Sequence, residues 1–213
     1  MESRGSSAGA AVGVAAALMV VAAAENTVAP WAPFYVVYAA LTLALPVIFG
    51  SVTIARIRWP RWPYWIAAIG LAVVLQGVFR LLTRTVDLEG MFGAVFDAAA
   101  PRLHRSPPAI ARAYLLMIII WAGLGEELFY RGYLQARLRR SFGAPAAIVT
   151  ASGIFAVRHY TQVLIAFPHV PWSAATMWVL AAFVVGLALG WLYEKSGSLL
   201  PPILCHYAFN LLA

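Results

Sequence analysis

The chain has 213 residues, 63% of them hydrophobic and 11% charged, with a mean hydropathy of +0.82 and a formal net charge of +7. Soluble domains are nearer half apolar and a quarter charged, so the composition excludes an ordinary water-soluble fold and implies an integral membrane protein. The basic residues stand in short clusters between apolar runs, as topology signals rather than a nucleic-acid face, and the lone Cys205 excludes an intrachain disulfide.

Seven apolar spans follow one another. The first, about Ala8 to Ala24, ends in Ala22-Ala23-Ala24, which resembles a signal-peptide cleavage site. Glu2 cancels Arg4 ahead of it, so it is read as a retained span. The second, about Trp31 to Ala55, carries Pro46 as a kink, and Arg56, Arg58 and Arg61 follow it, interleaved with Trp59 and Trp62 as at a membrane interface. The third is about Tyr64 to Leu82. The segment Thr83 to Arg112 then mixes charges with Met91, Phe92, Val95 and Phe96 at helical spacing. It reads either as a connecting loop or as an amphipathic surface helix gating substrate.

The fourth span runs from about Ile110 to Tyr130 and continues as helix through Arg137, Arg139 and Arg140 to a turn at Ser141–Pro145. The fifth is about Ala144 to Tyr160, followed by a loop with Pro168, His169 and Pro171. The sixth is about Trp172 to Tyr193, with Gly186 and Gly190 forming a small-residue packing face. The seventh starts near Leu199 and tolerates Pro201 and Pro202 in its first turn. Without repeats or low-complexity linkers, residues 1–213 read as one polytopic domain. Clusters of Arg or Lys follow the even spans, which predicts that these exits and the N-terminus are cytoplasmic. The loop after span three is the weak point, since it holds four arginines on the other side.

A carboxylate within an apolar span costs several kcal/mol and is a functional site by default. Glu126 and Glu127 are two in a row, with Arg131 one turn on. Glu127 and Arg131 share a face at i, i+4, while Glu126 is turned about 100° away. The economical assignment sends Glu126 to a central cavity and pairs Glu127 with Arg131. Phe155 and His159 share a face of span five, as do His206 and Asn210 on span seven. The midpoint between Glu126 and His159 falls at the Phe142-Gly143 turn, so the arms of that hairpin carry both to similar depth. Arg158, beside His159, reads as an arginine that snorkels to the outer interface or, alternatively, meets a substrate carboxylate. His104 and His169 read as exposed loop residues, and the tryptophans as an interface belt.

Three ordered motifs, E-E-x-x-x-R at Glu126, Glu127 and Arg131, F-x-x-x-H at Phe155 and His159, and H-x-x-x-N at His206 and Asn210, carry a resemblance. The chain resembles the intramembrane glutamic proteases that include type II CAAX prenyl endopeptidases and bacterial Abi/CPBP proteins, over roughly residues 115–213. Residues 1–82 carry nothing diagnostic. The resemblance implies an all-α membrane protein, about seven transmembrane helices in a conical bundle around an intramembrane cavity. It implies a peptidase of the cytoplasmic membrane that uses no metal or other cofactor. Glu126 with His159 would activate water, and His206 with Asn210 would stabilise the oxyanion. Glu127, Arg131 and Phe155 would support them. Peptide hydrolysis needs such a base and such donors, and a desolvated Glu126 is a better base than one in water.

The implied substrate is a membrane-associated peptide or protein tail: a sorting signal, a bacteriocin-type peptide or a CAAX-like terminus. The Arg- and Ala-rich composition is bacterial in character and ranks CAAX processing last. No nucleic-acid partner is implied, and the oligomeric state stays open. Two other classes compete. One is a zinc-dependent membrane protease built on Glu126, His159 and His206, although H-E-x-x-H is absent. The other is a non-catalytic immunity scaffold or proton-coupled protein.

Overall fold

The computed structural model describes residues 4–28, 36–49, 56–85, 121–161 and 170–212. Every regular element among them is helical. They are α1 (Arg4–Val28), α2 (Val36–Phe49), α3 (Pro63–Thr85), two π-helical stretches, π1 (Ala122–Glu126) and π2 (Leu128–Gln135), then α4 (Ala136–Phe142), α5 (Ala144–Tyr160), α6 (Trp172–Ser196) and α7 (Leu200–Leu212). Most of the Thr83–Arg112 segment, the first part of the fourth span and the His169 loop lie outside the described residues, as do Trp31 and His104.

The punctuation residues explain the boundaries. Gly143 adopts φ 80 and separates α4 from α5, and a proline enters the first turn of α5. Gly197, at φ 61, ends α6 in a left-handed cap, its N–H closing on the Tyr193 carbonyl at 3.0 Å. Three described helices are long and apolar enough to cross a membrane, with spans at Ser7–Ala24, Pro63–Leu81 and Trp172–Ser196. The sequence reading counts seven. The count covers the described residues alone: residues 31–35 and 50–55 of the second span and the first part of the fourth lie outside them, and the described apolar stretch of α2 is Val37–Phe49. The 17 residues of α5 and 13 of α7 rise about 26 and 20 Å at ~1.5 Å each, against a hydrocarbon core of ~30 Å.

The packing uses small residues where helices come close. On α1, Ala8, Ala11, Ala15, Leu18 and Ala22 recur every three or four residues and are buried against α4, α2 and π2. α5 packs mainly on α6, and α7 mainly on α3. A Cβ on Gly186 would come within 3.0 Å of the Ser152 Cβ, and one on Gly190 within 3.1 Å of Ile148. The Gly186–Gly190 face therefore lets α6 approach α5 closely, as its spacing predicts.

The exits of the second, fourth and sixth spans lie together. Arg58 Nε donates to the Gly197 carbonyl at 3.0 Å, and the Leu199 N–H donates to the Arg56 carbonyl at 3.0 Å. Arg137 Nη2 donates to the Phe49 carbonyl at 2.5 Å. Arg56, Arg58, Arg137, Arg139 and Lys195 thus collect at one end of the bundle. Trp59 and Trp62 are 81% and 71% exposed near that end, while Trp172 is exposed at the other end of α6.

Candidate active site

The two glutamates stand where the helix widens. The sequence predicts a regular α-helix here; the structure has π1 ending at Glu126 and π2 starting at Leu128, with Glu127 between them. π-helical turns are rare and recur at functional sites. The residues ahead of the glutamates are small because neighbours press on them. A Cβ on Gly123 would clash with the Tyr207 ring of α7, and one on Gly125 would lie 3.0 Å from Thr42 Oγ1 of α2. α2 and α7 therefore close on π1 from two sides.

Each carboxylate has its own cation. Glu127, fully buried, accepts from Arg131 Nη1 at 2.9 Å, the pairing that the i, i+4 spacing predicts. Glu126 Oε1 pairs with Arg158 Nη2. This corrects the expectation that Arg158 snorkels outward. Its guanidinium turns inward, leaving the residue 4% exposed, and lies 4.8 Å over the ring of Tyr38. The cause is electrostatic: a buried, unpartnered Glu126 would cost more than drawing the neighbouring helix's arginine inward.

His206 connects the two glutamates. Its Nδ1 lies 2.9 Å from Glu127 Oε1, and its Nε2 lies 4.0 Å from Glu126 Oε2. The Phe155 ring sits under the cluster: the Arg131 guanidinium is 4.9 Å from its centroid, Tyr130 5.0 Å, His159 4.8 Å and His206 6.2 Å. His159 Nδ1 is 2.9 Å from the Phe155 carbonyl. That bond makes Nδ1 the protonated nitrogen of a neutral ring and presents Nε2 as an acceptor. Asn210 lies one turn beyond His206 on α7, half-buried. The structure thus gathers Glu126, Glu127, Arg131, Phe155, Arg158 and His206 directly, brings His159 in through Phe155, and ties Asn210 in only through its place on α7.

Two features are not legible from the motifs. The first comes from α2: Tyr38, 2% exposed, supports Arg158 and hydrogen-bonds through its hydroxyl to that of Tyr130 at 3.1 Å. The second is a polar ladder from the site to the basic end. Arg131 Nη2 donates to the Gly186 carbonyl at 3.0 Å, and Gln135 Nε2 donates to the Gly190 carbonyl at 3.1 Å and to Glu194 Oε1 at 3.3 Å. Arg139 Nε pairs with Glu194 Oε2 at 2.9 Å. The absence of a Cβ at 186 and 190 is what opens those carbonyls to side chains. Residues 127, 131, 135 and 139 share one helix face at four-residue intervals, the signal from which a longer polar stripe could have been read. The two ladder bonds to glycine span the same 55 residues. The helices therefore run parallel, and Glu127 lies level with residue 182, near the middle of α6.

Among the described residues, no three or more His, Cys, Asp and Glu side chains are grouped to hold a metal ion. The profile of the Rce1-like type II CAAX prenyl endopeptidase family matches residues 108–212, the stretch that carries all three motifs. That stretch is similar to the Rce1-like family, in agreement with the resemblance carried by the motifs. The match implies a protease of multi-pass membrane type, acting on a peptide or protein in the membrane. No curated protein and no solved structure matches the chain.

Proposed function

We propose, on the premise that residues 108–212 are Rce1-like, that this protein is an intramembrane glutamate-dependent endopeptidase. The observation that carries the reading is the unequal pair of buried carboxylates joined by His206. Glu127 is committed to Arg131 and His206, whereas Glu126 Oε2 lies 4.0 Å from His206 Nε2, too far for a direct hydrogen bond.

In the proposed reaction Glu126, with His159 Nε2 as a second acceptor, takes a proton from water. The hydroxide oxygen bonds to the scissile carbonyl carbon through its own electron pair, and the C=O π pair moves onto the carbonyl oxygen. His206 and Asn210 donate to that oxyanion. With its Nδ1–H directed at Glu127, His206 can offer an Nε2–H only as the doubly protonated ring, for which Glu127 is the adjacent counter-charge. Collapse of the intermediate breaks the C–N bond, and Glu126 returns its proton to the leaving amine. While Glu126 carries the proton, its pairing with Arg158 is weakened and Arg158 can meet a substrate carboxylate.

The wider architecture belongs to the same proposal: one domain, about seven spans in a conical bundle, an inner-membrane location and a cytoplasmic N-terminus. The substrate is a membrane-associated peptide or a protein C-terminal tail, whether sorting signal, bacteriocin-type or CAAX-like. Comparative proteomics of membrane-protein C-termini in wild-type and Glu126→Gln cells tests it. Truncated C-termini found only with the wild type, and a fall of about 10²–10⁴ in cleavage by purified Glu126→Gln, are expected. Unchanged processing in a folded variant would remove Glu126 from the reaction. Activity is also expected to survive exhaustive chelation; its loss, with recovery on adding Zn²⁺, would favour a metal-dependent enzyme.

A further inference from the structure

The basic end of the bundle holds a cleft that the chemistry at Glu126 does not use. Arg56, Arg139 and Arg140 line it with Ala136, Gly143 and Ala144, around a volume of about 290 Å³. The arginines are held from different sides. The Arg56 guanidinium lies 4.9 Å over the Tyr193 ring, and the Arg56 carbonyl accepts the Leu199 N–H. Arg139 is anchored by Glu194. Arg140 is exposed at the cleft wall. Glu194 offsets one of three positive charges, so the lining keeps an excess of positive charge.

Three properties select a ligand. Guanidinium groups bind phosphate oxygens in paired, planar hydrogen bonds. The cleft suits a headgroup rather than a whole lipid. Its surroundings are interfacial: Trp59 and Trp62 project near the same end, and Phe142, 62% exposed beside Gly143, offers an apolar surface next to it. A phosphate carried on acyl chains uses both the charge and that surface, whereas free phosphate uses only the charge. Basic pockets between membrane helices at the cytoplasmic side bind anionic headgroups in this way.

We infer that the Arg56–Arg139–Arg140 cleft binds the phosphate of an anionic phospholipid from the leaflet at that end. The full-length protein, in a zwitterionic detergent, is titrated with phosphatidylglycerol, phosphatidylcholine or inorganic phosphate. Thermal unfolding and native mass spectrometry of retained lipid are the readouts. Phosphatidylglycerol is expected to raise the Tm and to be retained at least fivefold over phosphatidylcholine. Arg140→Gln is expected to reduce that retention at least fivefold, as is Arg56→Gln. Arg61→Gln, at the same end but outside the cleft, is expected to keep it. Arg140 is exposed, so its variant reports even if loss of the Arg56–Tyr193 contact impairs folding. Retention unchanged in Arg140→Gln, or lost equally in Arg61→Gln, overturns the site in favour of another location or a diffuse field. An equal Tm rise with inorganic phosphate overturns the lipid assignment in favour of a free anion.

Discussion

Two helix contacts in this molecule solve the same packing problem with opposite chemistry. α1 meets α4 and π2 through an alanine stripe, and the buried residues described on α1 carry no charge. The fourth span meets α6 through Gly186 and Gly190, but threads Arg131, Gln135 and Arg139 between the helices. Small residues permit close approach in both. The second contact uses the glycine carbonyls as acceptors and reaches the glutamates. In lipid, apolar packing is gained cheaply, whereas a buried ionic group must bring all of its partners with it. Change in the alanine contact is therefore penalised by volume alone, whereas change in the polar one also leaves buried partners unpaired.

The largest effect is expected from dividing the buried pair. Arg131→Met leaves Glu127 without its cation and should cost about 3–5 kcal/mol in detergent unfolding measurements. A Glu127→Met/Arg131→Met double variant should recover most of that stability while activity stays lost. A double variant no more stable than the single one would contradict the electrostatic account.

Next comes Gly190→Val, whose Cβ would meet Gln135 Oε1 at 2.8 Å and Ile148 at 3.1 Å, costing about 1–3 kcal/mol by overpacking. Gln135→Ala should cost about 1–2 kcal/mol through its lost hydrogen bonds. On the alanine side, Ala15→Leu enlarges a buried residue and should cost about 1–3 kcal/mol. Ala16→Leu, on the exposed side of the same helix, should stay within about 0.5 kcal/mol. Equal effects at positions 15 and 16 would mean that the stripe is not the contact.

Much of this was legible in the sequence. Hydropathy located the helices, with α5 at Ala144–Tyr160 as read and α3 shifted by one residue at its start. The Glu127–Arg131 pair follows from i, i+4 geometry alone. The polar spacing singled out the glutamates and both histidines, but roles for His159 and Asn210 remain proposals. Three features were not legible, for one reason. The π-helical turns, the inward Arg158 and the contribution of Tyr38 depend on what the neighbouring helix presents. Tyr38 and Tyr130 are 92 positions apart, and no local pattern links them. Arg158 is the clearest case, since the expectation of snorkelling considered its own helix and left out the unpaired carboxylate across from it.

The constant offset of the polar ladder also governs sliding. Donors recur at 131, 135 and 139, and acceptors at 186, 190 and 194. A slip of one turn, about 5.4 Å, would set Arg131 against Gly190 and Gln135 against Glu194, so two rungs would re-form. The third would fail, because Arg139 would move past its only acid in the ladder. His206, held to Glu127 from α7, opposes the same displacement from the other end. The Arg139–Glu194 pair thus acts as a vernier mark: on the exposed rim of the bundle, it selects which of two nearly equivalent alignments the buried glutamates occupy.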